Sequence, residues 1–415
     1  MPLSRRDLMA ATGALSVAGM GARAAAQTPS LRAPVRSLPD KSSFLMKGLT
    51  YLDSGSQHPA SAGARAAAEA YLGHRTFAPN TLQHSPDEDA VRAKFAKLIN
   101  AASPDDIAFA QSTTTGEQMV LRGLGFPQNG AHIVSDTLHF FGSLPIYEEM
   151  ARQGCKVTWV HDRDGCIPLA DMKQAITKDT RLVSLSLVST INGFEHDLKA
   201  VCDIAHANGA LVYADIIHAA GCVPVDVQAS GVDFAACASY KWLMGDFGLG
   251  FIYASKEART HLLRREYGYE GITKFDPHIY PFDPPGGTIV DYAYGDTAEG
   301  CFAHGTVAFS VIAQLDYSLD YIAALGVPAI QTHAQKLTGH LKKELPRLGY
   351  RLMTPPETKT PLVACALENA HQKLAAKMDA ANVRITTSKN RFRISPSVFN
   401  DEADIERFLS VLGRA

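Results

Sequence analysis

Hydrophobic positions along this chain recur with two periods. Residues 60–72, 87–99, 169–175 and 198–208 repeat every three to four positions, which predicts amphipathic helices. Between them, residues 105–110, 132–135, 156–160 and 181–188 form short runs of strand-forming residues. Residues 210–214 make an apolar run of strand length that follows a helix and ends on a carboxylate, Asp215; this predicts a buried parallel strand. A second apolar run, 234–239, delivers Lys241 and is followed by the glycine-rich residues 245–250. Helices are expected again over 117–123, 307–324, 329–348 and 401–412, with a strand at 363–366. Residues 267–295, crowded with Tyr, Phe, Pro and Gly, read as a long ordered loop, a kind of segment that often carries function. Strands alternating with helices predict an α/β fold. In such sheets ligands bind beyond the C-terminal strand ends, which is where Asp215 and Lys241 stand.

A buried acid paired with a buried lysine suits one cofactor above others. Pyridoxal 5'-phosphate needs an amine to hold its aldehyde and a carboxylate on its pyridinium nitrogen. Asp-x-x-His at 215–218 followed by Ser-x-Lys-Trp at 239–242 resembles the aminotransferase class V family, which includes cysteine desulfurases, kynureninases and isopenicillin N epimerases. The resemblance implies the fold-type I architecture of pyridoxal-phosphate enzymes. That is a large α/β domain with a mostly parallel central sheet (61–305), an N-terminal arm (27–60) and a smaller α+β C-terminal domain (306–415), paired as a homodimer.

The same resemblance makes Lys241 the Schiff-base lysine and Asp215 the pyridine partner. It places His218 by the phenolic oxygen and Ser239 among the cofactor contacts. Gln111-Ser112-Thr113-Thr114-Thr115-Gly116 stands at a strand-to-helix turn, where free amides and the helix dipole favour an anion. It is similar to the family's phosphate loop, with Thr114 in the threonine position and Thr115 and Gly116 supplying backbone. Counting back from Pro145, the ring that stacks on the cofactor falls on His139, with Phe140 the competitor. Ser189-Thr190-Ile191-Asn192-Gly193 is similar to a family signature but carries Thr190 where asparagine is usual, with Asn192 two residues on. Tyr51-Leu52-Asp53-Ser54 resembles the loop beside the substrate carboxylate. Gly305 and Thr306 match the segment that reaches a neighbouring subunit's phosphate, although Ala303 replaces its glutamate. Arg393 matches the arginine that clamps a substrate α-carboxylate through two parallel hydrogen bonds. Arg391 shares its strand face. His278, Tyr280 and Tyr292 in the aromatic segment are candidates for shaping substrate choice.

Composition narrows the rest. With 415 residues, 46% hydrophobic and 20% charged, the chain has the makings of a globular enzyme with a large core. A formal net charge of −2 gives no reason to expect nucleic acid or an anionic membrane as partner. Ser4-Arg5-Arg6-Asp7-Leu8-Met9 resembles a twin-arginine export box; an Ala/Gly-rich run and Ala24-Ala25-Ala26 follow. Residues 1–26 are therefore expected to act as a signal peptide, read by the twin-arginine translocase, that carries folded protein to the periplasm. The seven scattered cysteines predict free thiols. No Gly-x-Gly-x-x-Gly follows an early strand and no His-Glu-x-x-His occurs, which speaks against a dinucleotide-dependent dehydrogenase and a metal hydrolase; no metal is expected.

Cysteine desulfurases carry a nucleophilic cysteine shortly before the carboxylate arginine, and residues 366–393 hold none. A persulfide-forming desulfurase is therefore not expected. The leading expectation is amino-group transfer on an amino acid or peptide substrate. A C–S lyase or epimerase is the alternative within the family. A non-catalytic binding protein of the same fold is the alternative of another class, and Lys241, Asp215 and Arg393 speak against it.

Overall fold

The structure, a computed structural model, describes residues 37–78 and 86–413. The expected signal peptide and the first part of the arm lie outside these residues. Seven strands build the central sheet: β1 (Ile107–Ala110), β2 (His132–Asp136), β3 (Lys156–Val160), β4 (Thr180–Ser186), β5 (Leu211–Asp215), β6 (Phe234–Ala238) and β7 (Gly250–Ala254). Their spatial order is β1-β7-β6-β5-β4-β2-β3. Strands β2 to β6 pair in parallel, and β7 runs antiparallel to both its neighbours. β1, β2, β6 and β7 are buried along their whole length, which is why β1, β6 and β7 read as continuous apolar runs without alternation. Register aligns Ser186 with Asp215, and Asp215 with Ala236, so the ends of β4 and β5 meet beside β6 two residues before it closes at Ala238.

A second sheet of four short strands orders Arg351–Leu352, Val363–Ala366, Arg391–Ile394 and Thr386–Thr387, all antiparallel. The helix Phe309–Leu325, expected to open the small domain, sends Val311, Ile312, Leu315 and Ile322 into the large core with Ala64, Val91 and Phe95. The smaller core begins instead with the helix Val327–Arg347, through Leu337, Leu341 and Leu345. The arm does not stand apart either. Thr50–Tyr51 pairs in parallel with Val383–Arg384, and Leu52 is buried in the small core. Physically, a two-residue strand acquires its identity from its partner and has no periodicity of its own.

The aromatic segment is a hairpin, not a loop. Ile272–Pro277 pairs with Val290–Tyr294 in antiparallel fashion. Both strands are wet on both faces, so no alternation of apolar and polar residues marked them. Tyr280, Phe282 and Tyr292 project from this hairpin and its tip into solvent.

Candidate active site

Asp215 closes β5 in a fully buried setting. Its Oδ1 accepts the Ile217 amide at 2.9 Å, and no cationic side chain among the described residues hydrogen-bonds to it. Burial pushes its carboxyl up to about 6, against the pull of the Ile217 amide and of His139 and Lys241. Lys241 follows β6 and is only 6% exposed. Burial, reinforced by the Arg393 charge, brings its amine down to about 8. The Lys241 Nζ lies 3.0 Å from His218 Nε2, and the Trp242 indole Nε1 donates to His218 Nδ1 at 3.3 Å. The turn carrying His218 can approach this closely because Gly221, at φ +96°, has no Cβ; one there would lie 2.4 Å from the Trp242 carbonyl oxygen.

His139, three residues beyond Asp136 at the end of β2, is fully buried. Its Nδ1 meets Ser186 Oγ at 2.8 Å, while Ser186 Oγ accepts the Phe140 amide at 3.1 Å. Its Nε2 meets Glu117 Oε1 at 3.1 Å. Glu117 also accepts from Ser143 Oγ at 2.6 Å and from the Tyr147 hydroxyl. Burial disfavours charge on both partners, but the pairing outweighs it, lowering the Glu117 pKa and raising that of His139. Sequence reading missed Glu117 altogether; the available signal was an acid among the apolar neighbours of its helix. Replacing Glu117 with alanine removes the acceptor shared by three buried donors, leaving Ser143 Oγ without a partner and Tyr147 Oη and His139 Nε2 with only Ser184 Oγ, so a loss of about 3 kcal/mol is expected. Denaturant unfolding of the cofactor-bound chain checks this, and Glu117→Gln is expected to lose less. An unaltered midpoint for the alanine variant would show that the network contributes little.

The helix Thr113–Gly123 begins four residues earlier than its sequence pattern indicated. Ser112 is its N-cap and accepts the Thr115 amide at 3.1 Å; the Gly116 amide bonds to the Ser112 carbonyl. The expectation that Thr115 and Gly116 offer their amides to a phosphate is thereby corrected: both are spent inside the first turn. Thr114 remains at the positive helix end. Thr113 Oγ1 accepts the Ala238 amide, tying the helix to β6. Ser239 donates to the Asp246 carbonyl at 2.6 Å.

Arg393, from the small sheet, is 3% exposed. It donates to the Thr190 carbonyl and hydroxyl at 2.9 and 2.7 Å, and to Ser56 Oγ and Thr386 Oγ1 at 2.9 and 3.1 Å. Its Nε is buried without a partner, as is Ser54 Oγ. Arg391 also donates to the Thr190 carbonyl, at 3.0 Å. Asn192, expected to touch substrate, does not: its amide donates to the Gly165 and Met353 carbonyls, and its oxygen accepts the Phe194 amide. It straps the two sheets together, and its polar atoms are consumed. Gly305 and Thr306 are exposed, and Thr306 Oγ1 hydrogen-bonds the Tyr269 hydroxyl. They stand apart from the residues that line the cavity holding Lys241. That cavity, of about 600 Å³, is lined by Lys241, Arg391, Arg393, Phe140, Phe141 and Tyr240 among others. Phe140, not the fully buried His139, faces this opening. His278 bonds to the Pro284 carbonyl within the hairpin, outside the cavity lining.

Comparison with known proteins places this arrangement. The aminotransferase class V family profile matches residues 69–408. The chain belongs to the aminotransferase class V family. A probable cysteine desulfurase of Methanothermobacter thermautotrophicus is 30% identical over 255 residues, 60% of this chain and 59% of the relative. Another, from Pseudomonas putida, is 26% identical across 88% of this chain and 92% of the relative. The match thus spans less than two thirds of the first relative's length. Among solved structures, the Escherichia coli cysteine desulfurase CsdA superposes with a TM-score of 0.77 at 19% identity, covering 90% of this chain and 96% of that one. The cystine C–S lyase C-DES, solved with cysteine persulfide, gives 0.77 at 20% identity, over 89% and 98%. These structures share the fold-type I architecture.

Class V enzymes depend on pyridoxal 5'-phosphate, and the residues present fit it. A buried carboxylate pushed up to about 6, with no cationic hydrogen-bond partner among the described residues, suits a protonated pyridine nitrogen. A buried amine brought down to about 8 is prepared for an aldehyde.

Proposed function

We propose that this class V enzyme is a pyridoxal-phosphate-dependent C–S lyase that cleaves the Cβ–S bond of a sulfur-bearing α-amino acid and carries no sulfur on a thiol of its own. One observation carries the second half. The cavity lining that holds Lys241 and Arg393 includes no cysteine, and Cys365, the cysteine nearest in sequence to Arg393, is 0% exposed with its thiol pushed up to about 12 by burial. All seven cysteines are free; five are buried, and the part-exposed Cys166 and Cys301 lie outside the cavity lining. The names of the relatives, desulfurases and a C–S lyase, support cleavage at sulfur over amino-group transfer, the leading expectation from the sequence.

The chain's residues divide the work as follows. Arg393, with Arg391 beside it, binds the substrate carboxylate and turns Cα toward Lys241. The free amine of Lys241 takes the Cα proton. Asp215 would hold a proton on the cofactor's ring nitrogen. His218 positions Lys241, and Thr114 at its helix end would hold the phosphate. Ser54 and Thr190 border the carboxylate pocket, and His139 packs behind the site. Phe140, Phe141 and Tyr240 exclude water and suit an apolar thioether or disulfide arm. When bound, the cofactor supplies an electron sink for the charge left at Cα. The thiolate leaves from Cβ, and water completes the reaction to pyruvate, ammonia and a thiol.

Incubation with cystine, cystathionine and S-alkyl cysteines is expected to release pyruvate and a thiol or persulfide, and Cys365→Ala is expected to retain that activity. A keto acid with the carbon–sulfur skeleton intact would return the assignment to amino-group transfer. Export and pairing belong to the same proposal: the Arg5-Arg6 box supports a periplasmic location, and the exposed aromatics of the hairpin support a homodimer that Gly305 and Thr306 help complete.

A further inference from the structure

We propose that Trp242 is a positioning residue: its indole N–H locks His218 as the Nε2–H tautomer, which then hydrogen-bonds the unprotonated amine of Lys241 and withholds a partner from the ammonium. Indole nitrogen only donates, so at 3.3 Å it requires a lone pair on His218 Nδ1. A neutral imidazole with an unprotonated Nδ1 carries its proton on Nε2. That proton points at Lys241 Nζ, 3.0 Å away. An ammonium has three donors and no lone pair, so it cannot accept it; the free amine can. His218 stays neutral, because burial first, and then the charges of Lys241, Arg393 and Arg391, drive its pKa well below the ordinary value.

The surroundings of Lys241 make this contact matter. Arg393 and Arg391 approach from the small sheet, Asp53 from the N-terminal segment, Asp215 from the end of β5 and Cys237 from β6. Arg393 opposes a second positive charge, while Asp215, Cys237 and Asp53 favour one. Against opposed charges, one hydrogen bond given only to the neutral amine tips the balance. Nothing about Trp242 beyond its place after Lys241 marks it in the sequence. The inference concerns groups of this chain alone and stands whether or not the lyase assignment holds.

Two measurements on the full-length chain test it. Histidine labelled with ¹⁵N in the imidazole, in protein freed of cofactor, is expected to show His218 with a bare Nδ1 and a proton on Nε2; the opposite tautomer overturns the proposal. Second, the pH dependence of Lys241 reductive methylation, read by peptide mass, is expected to shift upward in Trp242→Phe by roughly one unit, so that labelling at pH 7 slows by about tenfold. In the chain that keeps Trp242, His218→Gln is expected to hold the wild-type midpoint, because its amide can accept from the indole and donate to the amine, whereas His218→Leu is not. A folded Trp242→Phe protein with an unmoved midpoint overturns the proposal. Should that variant not fold, the tautomer measurement on the unaltered protein decides. A failed lyase screen leaves both readouts standing.

Discussion

Lys241→Ala is expected to abolish the visible absorption that borohydride bleaches, and to lower turnover by at least about 10²–10⁴. In the proposed mechanism the residue supplies both the covalent anchor and the base, and among the described residues no other lysine lines the cavity. The native fold is expected to survive, because a buried amine brought down to about 8 is held against its solvation preference and its removal relieves that tension. The same pKa predicts the pH course of cofactor attachment in the unaltered chain. Only the free amine attacks an aldehyde, so the rate should climb about tenfold per unit below pH 8 and level off above it. Spectral titration and peptide mapping after borohydride check both points. A Lys241→Ala protein that still binds pyridoxal phosphate covalently would place the anchor elsewhere.

The second large effect is expected at Asp215→Asn, and it has two opposite signs. Turnover falls by about 10²–10³, because asparagine cannot hold a proton on the ring nitrogen through a charge. Stability of the cofactor-free chain rises at neutral and alkaline pH. The folded pKa of Asp215 lies at about 6, above its ordinary value of 3.8. A raised carboxyl pKa means that its contribution to stability is present below the ordinary value and is lost as pH rises through about 6. At pH 8 the buried charge is a burden of about 3 kcal/mol that the amide lacks. Melting curves of both cofactor-free proteins should run together below about pH 4, separate as pH rises from 4 to 6, and hold that gap above it. A gap that does not change between pH 4 and 6 would show that burial of this charge is not what the substitution relieves. Pyridoxal phosphate then offsets the same burden by bringing a positive charge to it, so saturating cofactor should narrow or reverse the difference at pH 8.

Much of this was written in local order. The runs ending at Asp215 and preceding Lys241 are strands because their apolar residues have nowhere to go but a sheet covered on both faces. Both chemical groups then fall at strand ends by topology alone. Lys156–Val160 and Val363–Ala366 have the bounds expected from their β-forming residues, because short runs of that composition need no distant partner to be recognised. The cysteines are free, as their scatter implied.

Other features depended on partners far along the chain. Asn192 and Thr115 have the chemistry to bind a ligand, yet their polar atoms are taken by Gly165, Met353 and Ser112, and no residue type announces who its hydrogen-bond partner will be. The hairpin at Ile272–Pro277 lacks a buried face, and periodicity records burial, not pairing. The sequence by itself determined the α/β architecture, the family and the two groups proposed to meet the cofactor, because those follow from runs of apolar residues and short contiguous motifs. Tertiary structure alone decided the protonation and reach of those groups. Arg393 arrives from the second sheet, Glu117 from behind His139 and Trp242 from across the His218 turn, and electric fields and hydrogen bonds act through space, not along the chain.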